Sequence, residues 1–164
     1  MRCNTGNGNS EPLNIAWTRG DDYLTKDRGD NASTVSFNHV IYFIDDAATW
    51  QRATGADSLT IALATNVFFT TTGYVVTSDI EFNAGNFAFR ANGSGCDANQ
   101  TSPLCYDLTA IATHEVGHWL GFNHVNCLDA VMYPTATTTK TMSSALPAHE
   151  ATGACKVYNP LPKK

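Results

Sequence analysis

Residues 114–124 read HEVGHWLGFNH, which places three of the chain's five histidines and one glutamate within eleven positions. On a helix, His114 and His118 project from the same face one turn apart, at a separation that suits two ligands of a single tetrahedral ion. Glu115 sits beside them, where its carboxylate can approach a metal-bound water as a general base without being a ligand itself. A third neutral nitrogen would leave one coordination position open. If the helix stops at Gly121, the chain can turn and bring His124 back; on a continuing helix His124 would lie nearly three turns from His114, about 15 Å along the axis. One histidine alone reads as an ordinary polar residue at a helix surface. Three at this spacing, with Glu and Gly in the two slots that the geometry needs, read as a metal centre.

Working outward, Asp107 is placed to cap a helix running from Leu108 to about Leu120, with Gly121 ending it in the left-handed conformation. Upstream, HVIYFI (39–44), LTIALATNVFF (59–69) and YVVTSDIEF (74–82) are rich in β-branched and aromatic residues, and the last two flank Thr70-Thr71-Thr72-Gly73, a hairpin signal. Between Ala47 and Asp57 there is room for a short helix around Trp50, and no long amphipathic helix precedes residue 107. Residues 1–12 read as a flexible lead-in, Leu13 to Thr18 as a half-buried strand, and residues 19–34 as an acidic loop. That loop holds two RGD tripeptides, better read as solvated turns than as adhesion ligands. Its Asp21, Asp22, Asp27 and Asp30 are the right ligand type for calcium but lack the ordered spacing of a calcium loop. A Gly, Asn and Ser-rich loop over residues 91–106 carries Cys96 and Cys105, close enough to staple it as a disulfide. LPAHEATGACKVY (146–158) predicts a final helix burying Leu146, Ala151, Ala154, Cys155 and Tyr158, before Pro160 and Pro162 end regular structure.

At 164 residues the chain fits one domain. A hydrophobic content of 43% without a long apolar run excludes a membrane span. The net charge of −5 and pI of about 5.4 exclude a nucleic-acid binder, since only Lys163-Lys164 clusters. Five cysteines in a chain poor in lysine and rich in Thr, Asn and Ser point to export into an oxidising compartment. The first residues show no apolar signal-peptide core, as in a mature form or a fragment of a longer precursor. Asn31, Asn92 and Asn99 open glycosylation tripeptides that are of little weight in so Asn-rich a chain.

Ala130-Val131-Met132-Tyr133-Pro134 follows the third histidine, with Met132 eight residues after His124. This register matches the 1,4-turn whose methionine lies beneath the zinc in metzincin metallopeptidases, and HEVGHWLGFNH together with VMYP resembles the matrixins. The resemblance is tight over residues 107–134 and loose over 13–158, where SLTIALATNVFFTTTGYVVTSDIEFN (58–83) is similar to the strand pair preceding the zinc helix. It implies an α+β, metzincin-type zincin fold: a twisted mixed β-sheet packed on the active-site helix and a small C-terminal subdomain ending in a helix. Residues 1–164 would form one catalytic domain, with an N-terminal subdomain over 13–121 and a C-terminal one over 122–164. It further implies one catalytic zinc on His114, His118 and His124, with Glu115 as general base and acid. A second, structural zinc is not expected, because the additional His and Asp ligands are missing and His39 and His149 read as structural or surface residues. Tyr133, Pro134 and Thr135 would form a wall of the specificity pocket, with the loop through Ser143 beyond. Pro134 stands where some metzincins have an extra tyrosine ligand.

Two departures stand out: Val125 replaces the serine usual after the third histidine, and LNIAWT already corresponds to the strand that follows the family's first long helix. The second departure predicts N-terminal truncation, with the partner of Cys3 in the missing segment and Cys96–Cys105 and Cys127–Cys155 as the bridges. A propeptide switch at Arg2-Cys3 is disfavoured by its flanking residues.

The resulting expectation is a secreted, monomeric zinc endopeptidase. Its polypeptide substrate would bind as an extended strand along Tyr74 to Asn83, with neither nucleic acid nor membrane as partner. The competing reading is a non-catalytic extracellular binding module, or an inactive truncated metzincin, that retains zinc. An intact Glu115 and an open fourth position argue against it.

Overall fold

The computed structural model describes residues 2–4, 10–12, 39–73, 75–91, 96, 103–136 and 148–158. The predicted strand at Leu13 to Thr18, the acidic loop with its aspartates, and the loop through Ser143 lie outside them. The fold is mixed α+β. Strands β1 (Arg2–Asn4) and β2 (Ser10–Pro12) form an antiparallel pair within what the sequence presents as a flexible lead-in. Then follow β3 (Ile41–Ile44), α1 (Ala47–Thr54), β4 (Ala62–Phe68), β5 (Val75–Asn83), β6 (Phe87–Arg90), β7 (Leu104–Asp107), α2 (Leu108–Trp119) and α3 (Ala148–Tyr158). No helix among the described residues is long and apolar enough to cross a membrane.

The main sheet has the order β3-β5-β4, with β3 parallel and β4 antiparallel to β5. The β4–β5 hairpin turns through Gly73 at φ 73°, where a residue without a β-carbon is unstrained, and its N–H closes onto the Phe69 carbonyl at 2.7 Å. Seven consecutive residues of β5, Thr77 to Asn83, are buried, as befits a strand covered on both faces. Ile80 and Phe82 join Ala62, Phe87, Tyr106 and Ile111 in the core that glues α2 to the sheet. Each large apolar side chain buried there contributes about 1.5–3 kcal/mol. The polar residues of β5 are satisfied in place: Glu81 accepts from the Tyr42 hydroxyl at 2.5 Å and the Thr65 hydroxyl at 3.1 Å.

Strand β6 pairs in parallel with β7, a four-residue strand that forms at the end of the loop expected over residues 91–106. The Cys96–Cys105 disulfide ties that segment to β7. The expected Cys127–Cys155 bridge does not form: Cys127 is free and exposed, while Cys155 is disulfide-bonded to another cysteine. Two cysteines 28 positions apart in a sequence pair only if the fold brings their β-carbons together, which spacing does not determine. Helix α1 is capped by Asp46, whose carboxylate accepts from the Thr49 N–H at 2.6 Å, and it buries Trp50 completely.

Candidate metal centre

Helix α2 opens at Asp107, whose side chain accepts from the Thr109 N–H at 2.9 Å. It closes in a Schellman motif: Phe122 N–H donates to the Gly117 carbonyl at 2.9 Å and Gly121 N–H to the His118 carbonyl at 2.8 Å, with Gly121 at φ 86°. That left-handed residue reverses the chain. The side-chain amide of Asn66, reaching from β4, donates to the same His118 carbonyl at 2.8 Å and fastens the helix end to the sheet.

The reversal brings His124 to the other two histidines. The Nε2 atoms of His114, His118 and His124 lie 3.0–3.1 Å from one another. Nδ1 of His114 is 2.6 Å from the Val131 carbonyl, and Nδ1 of His118 is 2.7 Å from the Phe122 carbonyl. A carbonyl only accepts, so the proton of each ring sits on Nδ1 and the Nε2 lone pair faces the group's centre. Lone pairs so converged repel unless a cation lies among them. The donor set fits zinc, whose tetrahedral Zn–N bonds of about 2.0–2.1 Å separate ligand nitrogens by roughly 3.3 Å. Hydrogen-bonded Nδ1 atoms are the usual means of orienting such ligands. Among the described residues these three histidines are the only group of this kind.

Burial is the main cause holding His114 and His124 below the ordinary histidine value, which favours the neutral form that binds a metal. Glu115, only 5% exposed, has its carboxyl raised to about 7, chiefly by burial. Glu81 adds to that rise, and the Ala64 backbone N–H opposes it.

Met132 lies buried in the turn closed by Tyr133 N–H onto the Ala130 carbonyl at 3.3 Å. It packs beneath α2 at Gly117. The turn is held from α3, where Glu150 accepts from the Val131 N–H at 3.0 Å and the Met132 N–H at 2.9 Å.

A cleft of about 550 Å³ runs past the histidines between β4 with its preceding loop, from Leu59 to Ala64, and the wall of Tyr133, Pro134 and Ala136. Thr135 is exposed and is not part of that wall, and Ala136 takes its place. The strand facing the cleft is β4, not the Tyr74 to Asn83 strand, because β5 lies between β3 and β4 in the sheet and only β4 with its preceding loop lines the cleft. The Asn83 N–H bonds to the Ile61 carbonyl at 3.0 Å, and antiparallel pairs alternate between bonded and non-bonded, so the backbone N–H and C=O of Ala62 and Ala64 turn outward.

Glu150, Asn66 and the edge role of β4 escape the sequence. An acid in the first turn of a helix and one polar residue in ALATNVF are unremarkable locally. His39 is structural: its Nδ1 accepts from the Ser78 N–H at 2.9 Å and its ring meets Trp119 edge-on.

The matrixin family model (peptidase M10) matches residues 20–159. Over 67 residues the chain is 39% identical to metalloendoproteinase 1-MMP of Arabidopsis thaliana, covering 41% of this chain and 18% of that protein. It is 50% identical over 34 residues to metalloendoproteinase 2-MMP of the same plant, 21% of this chain and 9% of that protein. With metalloendoproteinase 4-MMP the identity is 47% over 36 residues, 22% and 10% of the two chains. The chain thus spans less than a fifth of the length of these curated relatives. No solved structure matches it significantly. With the family model covering most of its length and the histidine group in place, the chain belongs to the matrixins, a family of zinc enzymes.

Proposed function

We propose that this chain is a secreted zinc endopeptidase with His114, His118 and His124 as metal ligands and Glu115 as the catalytic carboxylate. The observation that carries the reading is the buried Glu115 carboxyl lining the same cleft as three converging Nε2 atoms. Bound zinc supplies Lewis acidity, drawing the pKa of a coordinated water toward about 7 and polarising a carbonyl. Glu115 takes the proton of the attacking water and delivers it to the leaving amine, and its burial, which raises the carboxyl in the metal-free protein, favours holding that proton between the two transfers. The Ala64 N–H keeps the carboxylate oriented at the edge strand.

An extended polypeptide adds to β4 through the outward N–H and C=O of Ala62 and the C=O of Ala64, whose N–H is taken by Glu115, so main-chain bonds supply affinity whatever the side chains. Ile111 and Tyr133 line the cleft beside the ligands and favour an apolar residue just after the cleaved bond. In this reading residues 13–121 and 122–164 act as two subdomains flanking the cleft, and the monomer is the working unit. A disulfide fits an extracellular setting.

The test is hydrolysis of casein or gelatin with zinc, with chelator, and by Glu115→Ala. Chelation should abolish activity, and the variant should lose about 10²–10⁴-fold while still binding zinc. Undiminished activity of the variant would overturn the mechanism. Cleavage of a peptide library mainly before charged residues would overturn the specificity.

A further inference from the structure

We propose that Glu150 is a positioning residue for the metal centre, acting on His114 through a single peptide group. The inference rests on the reading that the three histidines bind zinc. Glu150 lies in the first turn of α3, remote in sequence from the ligands, and both of its oxygens are used on the Met132 turn. One of the two bonds is to the Met132 N–H, at 2.9 Å. That N–H belongs to the same peptide plane as the Val131 carbonyl, to which His114 Nδ1 donates at 2.6 Å. The connection therefore reads carboxylate, N–H, C=O, imidazole, without a gap.

Negative charge against the N–H end of a peptide increases the charge on its carbonyl oxygen, and hydrogen bonds in series strengthen one another. The carbonyl then holds the Nδ1 proton more firmly and makes Nε2 the better donor to a metal, as a carboxylate bound directly to a ligating histidine would. The second oxygen fixes the preceding peptide through the Val131 N–H, so the plane cannot rotate about its ends. Met132 also accepts from the Val125 N–H at 2.9 Å, which ties the residue after His124 to the same turn. One side chain of α3 thus sets the orientation of His114 through one peptide group and the position of His124 through the backbone of the turn.

Glu150→Gln is nearly isosteric, but its amide group offers one acceptor where two are needed and carries no charge. α3 stays docked in this variant, since Ala154 is buried and Cys155 is disulfide-bonded. Zinc affinity is read by chelator competition and ligand geometry by the visible absorption of the Co(II)-loaded protein, alongside melting curves with and without zinc. The expected result is zinc binding weakened by roughly tenfold or more and an altered Co(II) band, with a larger loss of melting temperature in the zinc-loaded than in the zinc-free protein. Lys156→Ala, exposed on the same helix, should change none of these. Wild-type zinc affinity and an unchanged Co(II) band in Glu150→Gln overturn the proposal, as does an equal melting loss with and without zinc. If Glu150→Gln does not fold, Glu150→Asp, which keeps the charge but retracts it by one methylene, is measured in its place and judged by the same outcomes. A wild-type chain that binds no zinc overturns the underlying reading instead.

Discussion

Met132 presses its sulfur against the backbone of Gly117 so closely that a β-carbon there would stand 2.1 Å from it. The glycine in the middle of α2 is thus a packing requirement, and its cost to helix propensity is offset by the turn seated beneath the three histidines. Gly117→Ala should lower the unfolding free energy by about 1–3 kcal/mol through overpacking and weaken zinc binding, because the displaced turn carries the Val131 carbonyl that orients His114. Denaturant unfolding and zinc titration check this, and Met132→Ala combined with Gly117→Ala should recover part of the loss.

Three imidazole Nε2 atoms within 3.0–3.1 Å of one another, two of them on rings whose Nδ1 donates to a carbonyl, are accommodated best around a cation. Free zinc at about a hundredfold above its Kd should add roughly 2.7 kcal/mol, raising the melting temperature by about 5–10 °C for a chain of this size. Calorimetry with and without chelator measures it, and His124→Ala should abolish most of the difference.

Asp46 and Asp57 are both held below the ordinary aspartate value. For Asp46 the chief cause is its hydrogen bonding with Thr49, and for Asp57 it is the Thr60 hydroxyl, followed by the Leu59 and Thr60 amides. A folded value below the unfolded one means that each carboxylate contributes stability fully present above the unfolded value near 3.8 and lost as the pH falls through the folded value. Denaturant midpoints measured downward from about pH 5 should therefore fall more steeply for the wild type than for Asp46→Asn or Asp57→Asn. Each comparison is made in chelator so that metal release does not contribute.

Because Ala62 and Ala64 are the outward-facing residues of β4, a peptide lying along that edge must direct every second amide toward it. Methylating those substrate nitrogens one at a time should lower kcat/KM roughly fivefold each, the worth of about 1 kcal/mol per hydrogen bond. Methylating the intervening nitrogens should have little effect. Equal sensitivity at all positions would argue against strand addition to β4.

The metal centre was largely legible in HEVGHWLGFNH because helical period, a left-handed glycine and a short return are local matters. His114, His118, Gly121 and His124 are placed by backbone rules acting over one or two turns, and Met132 by its register with them. The strands at residues 41–44, 62–68 and 75–83 were legible as strands for the same reason, since β-branched and aromatic side chains favour extended backbone. The sequence did not show which of them is the edge. β4 and β5 form one hairpin of similar composition, and only the pairing of β3 with β5, across more than thirty residues, leaves β4 open to the cleft. The four-residue strands β6 and β7 hold together by pairing with each other, which no local pattern announces. Cys127 stays free because disulfide formation depends on proximity in space. Glu150 reaches the metal centre only because α3 lays its first turn against the Met132 turn. The amino-acid sequence by itself determined the histidine group, because its geometry is short-range. Tertiary structure decided which strand edge faces the cleft, the disulfides and the support of His114, because each depends on contacts between segments far apart in the chain.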